Sequence, residues 1–209
     1  MNAEPAIATA FRNDGRPPAS IAIVGNAPAR SAHGARIDAC EWVVRFNNAA
    51  GLGRAMGDRT THLVLVNRGG QAGEWARDRG FAERRAIRDA RTITLAFPRL
   101  KEAVSCPDGR DWTDELVERI AKPSSRVDAL CKDTHREARD ALTTLGARDP
   151  NPSTGFLASF ALCRRFAQTR TTIEVFGFGF EGWSGHPWQA ERRWFGEQSR
   201  IGRLSLHSP

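Results

Sequence analysis

Apolar residues in this chain cluster in short unbroken runs, and each run stops at glycine, asparagine or proline. Residues 20–25 (Ser-Ile-Ala-Ile-Val-Gly) form the first, 42–46 (Trp-Val-Val-Arg-Phe) the second, 59–67 the third, and 91–97 the fourth, which ends at Pro98. Runs of this length without polar alternation mark strands buried on both faces, as in a parallel sheet. Another, 172–176 (Thr-Ile-Glu-Val-Phe), leads into Gly177 and Gly179, and a last short strand is expected at 203–206.

Between the runs the pattern changes to helical spacing. Residues 111–122 place Leu116, Val117 and Ile120 on one face behind an acidic start, the mark of an amphipathic helix. A second helix is expected over 133–145, ending at Gly146, and a third over 189–198. Residues 75–90, charged with sparse apolar positions, read as surface helix. The stretch from Pro152 to Cys163 reads as a loop in which Ser153 or Thr154 caps an apolar helix. The segments from residue 26 to Ile37-Asp38 and from 51 to 58 read as loops. Strands alternating with helices predict an α/β domain with a largely parallel central sheet flanked by helices.

Composition narrows the class. At 209 residues the chain fits one domain, taken here as 20–209. Residues 1–19 lack a charged head followed by an apolar core, so they read as a disordered leader rather than a signal peptide. No apolar run approaches the roughly 20 residues of a membrane span. The four cysteines (Cys40, Cys106, Cys131, Cys163) lie far apart with no Cys-x-x-Cys pair, which argues against zinc and against a disulfide framework. A cytoplasmic protein is expected. The net charge of +7 comes mostly from arginine. It is not interleaved with aromatics as a nucleic-acid platform requires, so anionic small ligands are the milder inference.

Candidate chemistry gathers at three places. A strand followed by a glycine turn, Gly25-Asn-Ala-Pro-Ala, is where phosphates lie in α/β domains, although Gly-x-Gly-x-x-Gly is absent. The capped helix at Ser153, Thr154 and Gly155 leaves free amides at its positive end, and Gly155 lets a flat ligand approach. His186 stands before Pro187 and suits a general base. Asn26 and Asn47 are either ligand donors or turn residues at strand ends. His62 reads as a packing residue and His33 as a weak phosphate candidate. Trp183, Trp188 and Trp194 form either an acceptor platform or packing. The pairs Arg84-Arg85 and Arg192-Arg193 read as solvated faces.

In order and content, three stretches resemble the motifs of the eukaryotic-type sialyltransferase family (glycosyltransferase family 29). Ile23-Val-Gly-Asn26, Ile37-Asp38, Val44-Arg-Phe-Asn47 and Gly57-Asp-Arg-Thr-Thr-His62 resemble its large motif. Pro152-Ser-Thr-Gly155 through Val175-Phe-Gly-Phe-Gly179 resemble the small one, and His186-Pro-Trp-Gln-Ala-Glu191 the very small one. The resemblance covers about 20–67 and 150–206.

That resemblance implies a Rossmann-like fold, a GT-A variant, and an inverting, metal-independent transfer of sialic acid or the related Kdo from its CMP conjugate to a saccharide or glycolipid hydroxyl. No cofactor besides the donor substrate is implied. His186 would be the base, with Glu191 either orienting it or capping the following helix. Gly25, Asn26 and Asn47 would hold the phosphate and ribose side; Ser153, Thr154, Gly155 and the Gly177 backbone would meet the cytidine. The chain contains no Asp-x-Asp pair, in keeping with a leaving group that needs no metal. It departs from the family at Ala27, where a hydroxyl residue is usual, and at Ile21, where the family has the partner of the cysteine matched by Cys163. The family's His-Tyr-Tyr type motif is unrecognisable, with only Trp183 in that loop. Two further classes stay open: a non-catalytic CMP-binding module and a basic nucleic-acid-binding domain.

Overall fold

The structure, a computed structural model, describes residues 10–11, 15–53, 55–99, 110–120 and 126–208. Seven strands form one sheet: β1 (Ser20–Val24), β2 (Trp42–Phe46), β3 (His62–Leu65), β4 (Thr92–Leu95), β5 (Arg126–Ala129), β6 (Thr172–Phe176) and β7 (Ser205–Leu206). Their order is β5-β4-β3-β2-β1-β6-β7, and every neighbouring pair is parallel. The chain steps outward from β1 to β5, then returns to lay β6 on the other side of β1. The direction of winding therefore reverses between β1 and β6, and a crevice opens beyond their carboxyl ends.

Helices cover both faces: α1 (Gly34–Ala39), α2 (Gly69–Arg77), α3 (Arg85–Asp89), α4 (Thr113–Ile120), α5 (Lys132–Thr144), α6 (Thr154–Arg165) and α7 (Trp188–Arg200). This covering is why the strand runs are continuous. Ile21 and Ile23 of β1 pack with Val44, Phe46, Val175 and the α6 residues Phe156 and Leu157. Ala22, Val24 and Val43 face the opposite side, against Ile37, Met56 and Phe176. Each large aliphatic side chain so buried contributes roughly 1.5–3 kcal/mol. In α6 every residue from Phe156 to Cys163 is buried, so a helix apolar all round sits where sheet and helices enclose it.

The strands at 42–46 and 172–176 fall as expected, whereas those at 59–67 and 91–97 shorten to β3 and β4. Two elements were not foreseen. The loop expected after residue 26 contains α1, and β5 follows α4. Residues 75–90 are not one surface helix: α2 gives way to a 3-10 turn, Phe81–Glu83, and then α3. Trp75 and Phe81 are buried there and stack with centroids 5.1 Å apart. Arg45, in β2, is fully buried and donates to the carbonyls of Met56, Gly57 and Arg59, pinning residues 56–59 against the central strand. Of the expected leader, residues 1–9 and 12–14 lie outside those described, while Ala10 and Phe11 are buried, Phe11 against His62. Cys40, Cys131 and Cys163 are free thiols; Cys106 lies outside the described residues.

Candidate active site

A hollow of about 330 Å³ occupies the crevice at the carboxyl ends of β1, β2 and β6. Its floor is two turns pressed together. The Gly25 amide donates to the Phe176 carbonyl at 2.8 Å, and the Ala27 amide to Gly177 at 3.0 Å. A Cβ at Gly25 would stand 2.2 Å from the Gly177 oxygen, so only glycine allows these turns to meet. Gly177 itself has φ of 67°, a left-handed conformation that glycine adopts without strain.

Asn26 and Asn47 both line this hollow. Asn26 Nδ2 donates to the Phe46 carbonyl at 3.2 Å and Oδ1 accepts from the Ala50 amide at 2.9 Å, tying the first turn to the end of β2. Asn47, with φ of 52°, accepts from the Val66 amide at 2.9 Å. Asparagine tolerates that left-handed conformation better than most residues. Each asparagine is thus a turn residue at a strand end and also a cavity wall. Its Nδ2 gives Asn47 a donor with no protein acceptor among the described residues.

The opposite wall is the start of α6. Ser153 is its N-cap, Oγ accepting from the Phe156 amide at 3.1 Å. The amides of Thr154 and Gly155, at the first helical positions, have no intrahelical acceptor. The space beside Gly155 is filled by the Phe178 ring, 3.0 Å from where a Cβ would be, so the missing side chain makes way for Phe178 and not, as expected from the sequence, for a flat ligand.

His186 closes the far side. Its Nδ1 lies 2.9 Å from the Asn151 carbonyl, and its ring meets Trp183 and Trp188 edge to face, centroids 4.9 and 5.0 Å away. A carbonyl only accepts, so Nδ1 carries the hydrogen and Nε2 is the basic nitrogen. Glu191 is not on the wall. It is 1% exposed, and its two oxygens accept from the Ser153 amide and hydroxyl, each at 2.8 Å. Asn151, not Glu191, holds His186 Nδ1. Burial pushes the Glu191 carboxyl up to about 7 against the pull of those two hydrogen bonds.

Other candidates lie elsewhere. His62 packs on Trp42, centroids 4.1 Å apart, and burial lowers it to about 4, so it is neutral. His33 packs on Phe176 and His207. Trp194 is buried against Phe156, leaving Trp188 at the hollow and Trp183 exposed beside it. Sequence reasoning missed Phe180 and Glu181 on the wall and the carbonyl of Asn151; the alternation Phe-Gly-Phe-Gly-Phe from 176 to 180 was the available signal for the first. Among the described residues no group of three or more His, Cys, Asp and Glu side chains is arranged to hold a metal, and no helix is long and apolar enough to cross a membrane.

An all-parallel, doubly wound sheet with a hollow at its switch point defines a fold shared with sialyltransferases. A crystal structure of a mammalian sialyltransferase matches with a TM-score of 0.58 at 16% identity, over 90% of this chain and 68% of that one. The apo α-2,3-sialyltransferase of Campylobacter jejuni matches at 0.52 and 12%, over 91% and 74%. At such identities the likeness is one of fold. No family model matches the chain. By sequence it is 30% identical over 201 residues to the urease operon 23 kDa accessory protein of Rhizobium meliloti (strain 1021), covering 90% of this chain and 93% of that protein. The chain belongs to the family of that accessory protein.

Proposed function

We propose that this protein is an inverting glycosyltransferase that moves an acidic sugar, sialic acid or Kdo, from its CMP conjugate to a saccharide hydroxyl without a metal. One observation carries the reading. Residues separated by more than a hundred positions, Gly25, Asn26 and Asn47 from one part and Ser153, Thr154, Gly155, Gly177 and His186 from another, line a single hollow. The free amides at the start of α6 and Asn47 Nδ2 supply donors for the phosphate and base. His186 Nε2 takes the proton of the acceptor hydroxyl as its oxygen bonds the anomeric carbon. The bond from that carbon to phosphate breaks in the same displacement, and CMP leaves with the electron pair. Displacement from the opposite face inverts the centre. Glu191 acts one step back: it fixes Ser153, which starts α6.

A second reading, a CMP-binding module without catalysis, is favoured by the relative's name as an accessory protein and by Ala27. The two separate on release of CMP from a CMP-sugar in the presence of saccharide acceptors. The enzyme reading expects release that falls about 10²–10⁴-fold in His186→Ala. CMP binding with no release by the native chain would leave the module.

A further inference from the structure

The nucleotide-sized hollow does not end the concave surface. Past Phe178 and Gly179 lies a second hollow of about 510 Å³, with Arg30 from the loop after β1 and Arg192 from α7 on its walls. A third, about 340 Å³, lies between Phe180 and the α7 residues Trp188, Arg192 and Arg193. Phe180 borders all three, and its ring is fixed against Phe195, centroids 5.3 Å apart. Arg192 is fixed in turn: it donates to the Gly179 carbonyl at 3.2 Å, and its guanidinium lies over the Phe180 ring, 5.4 Å from the centroid. Its remaining N–H donors have no protein acceptor among the described residues.

Several surface arginines elsewhere are matched with carboxylates, Arg36 with Glu174, Arg84 with Asp78, Arg85 with Asp58 and Arg139 with Asp149, while Arg77, Arg193 and Arg203 donate to backbone carbonyls outside this hollow. Arg30 and Arg192 are paired with none among the described residues. His207, also on this wall, spends Nε2 on Glu174. The acid of these walls, Glu181, borders the nucleotide side too and forms no ion pair with either arginine.

We propose that the Arg30–Arg192 hollow is a carboxylate subsite, seating the acid group of a sugar whose reacting atom lies beside His186. This rests on the nucleotide reading of the first hollow, with which it shares the wall from Phe178 to Glu181. A guanidinium offers a carboxylate two parallel hydrogen bonds, and a ring beneath it keeps the fork oriented. Two sources supply such a group: the donor's own sugar, or an acidic sugar at the end of the acceptor.

Titration calorimetry on the full chain separates them. The donor arm compares CMP-N-acetylneuraminate with its carboxyl methyl ester. The acceptor arm, with CMP present, compares a galacturonate-terminated with a galactose-terminated disaccharide. In at least one arm the acid should bind about tenfold more tightly than its neutral counterpart. Arg192→Glu should bring that ratio to about one and Arg192→Lys should keep part of it; each ratio is taken within one protein, so lost stability cancels. Ratios near one in both arms, with CMP bound, overturn the subsite and leave the nucleotide reading standing, as does a preference that survives Arg192→Glu. No binding of CMP removes the nucleotide reading and the subsite with it.

Discussion

Glu191 and Ser153, 38 residues apart, are joined by two hydrogen bonds of 2.8 Å, one from the serine amide and one from its hydroxyl. The same hydroxyl accepts from the Phe156 amide. A carboxyl on α7 therefore anchors the cap of α6, and with it the wall of the hollow. Among the described residues the Ser153 donors are what opposes its burial.

That arrangement makes stability depend on pH. In the folded chain Glu191 titrates near 7, against an ordinary 4.5, so the folded state keeps a proton that the unfolded chain gives up. The contribution is full below about pH 4.5 and is lost as pH rises through 7, on the order of 3 kcal/mol in all. Urea melts of native and Glu191→Gln chains should diverge in slope across this window, the variant losing less stability. Parallel curves would show that the carboxyl is ionised throughout.

His62 acts with the opposite sign. Burial lowers it to about 4, so its contribution is present above pH 6.5 and lost as pH falls towards 4. His62→Gln should flatten the acid limb of the same melts, and an unchanged acid limb would mean that the imidazole charges without unfolding.

Removing the Ser153 hydroxyl should cost more than an ordinary cap. Ser153→Ala deprives both the Phe156 amide and a buried carboxyl of a partner, and about 1–3 kcal/mol is expected. Ser153→Thr, which keeps the oxygen, should recover most of it. Equal losses in the two variants, measured by denaturant midpoint, would rule out this account of the hydroxyl.

Two glycines should behave oppositely. Gly25→Ala drives a methyl to 2.2 Å from the Gly177 oxygen, and separating the two turns should cost at least about 3 kcal/mol. Gly196, within α7, has nothing within 4 Å of an added Cβ; Gly196→Ala should stabilise by about 0.5–1 kcal/mol. Thermal melts of the pair check both.

What could be read from the chain follows from how local the signal is. The bounds of β2 were legible because an apolar run buried on both faces ends at Asn47, and those of β6 because its apolar residues stop at Gly177. The cap at Ser153 was legible because an apolar helix follows it directly. α1 was not: six residues with no side-chain cap at His33 carry too little pattern. β5 was not because Arg126 and Asp128 alternate with Val127 and Ala129 at half-buried positions. Trp75 and Phe81 were hidden by the charged residues around them, since it is the neighbouring α4 that covers them. At the site, the strand-end residues announce themselves by type, whereas the partner of Glu191 is set by tertiary packing.

The most direct measurement is the melting temperature with and without CMP. At a hundredfold excess over its dissociation constant, a ligand bound only by the folded chain adds about 2.7 kcal/mol. For a domain of this size that is a rise of roughly 5–10 °C. The account predicts that rise with CMP and none with AMP or GMP at the same concentration. No shift with CMP, or an equal shift with all three, would contradict it.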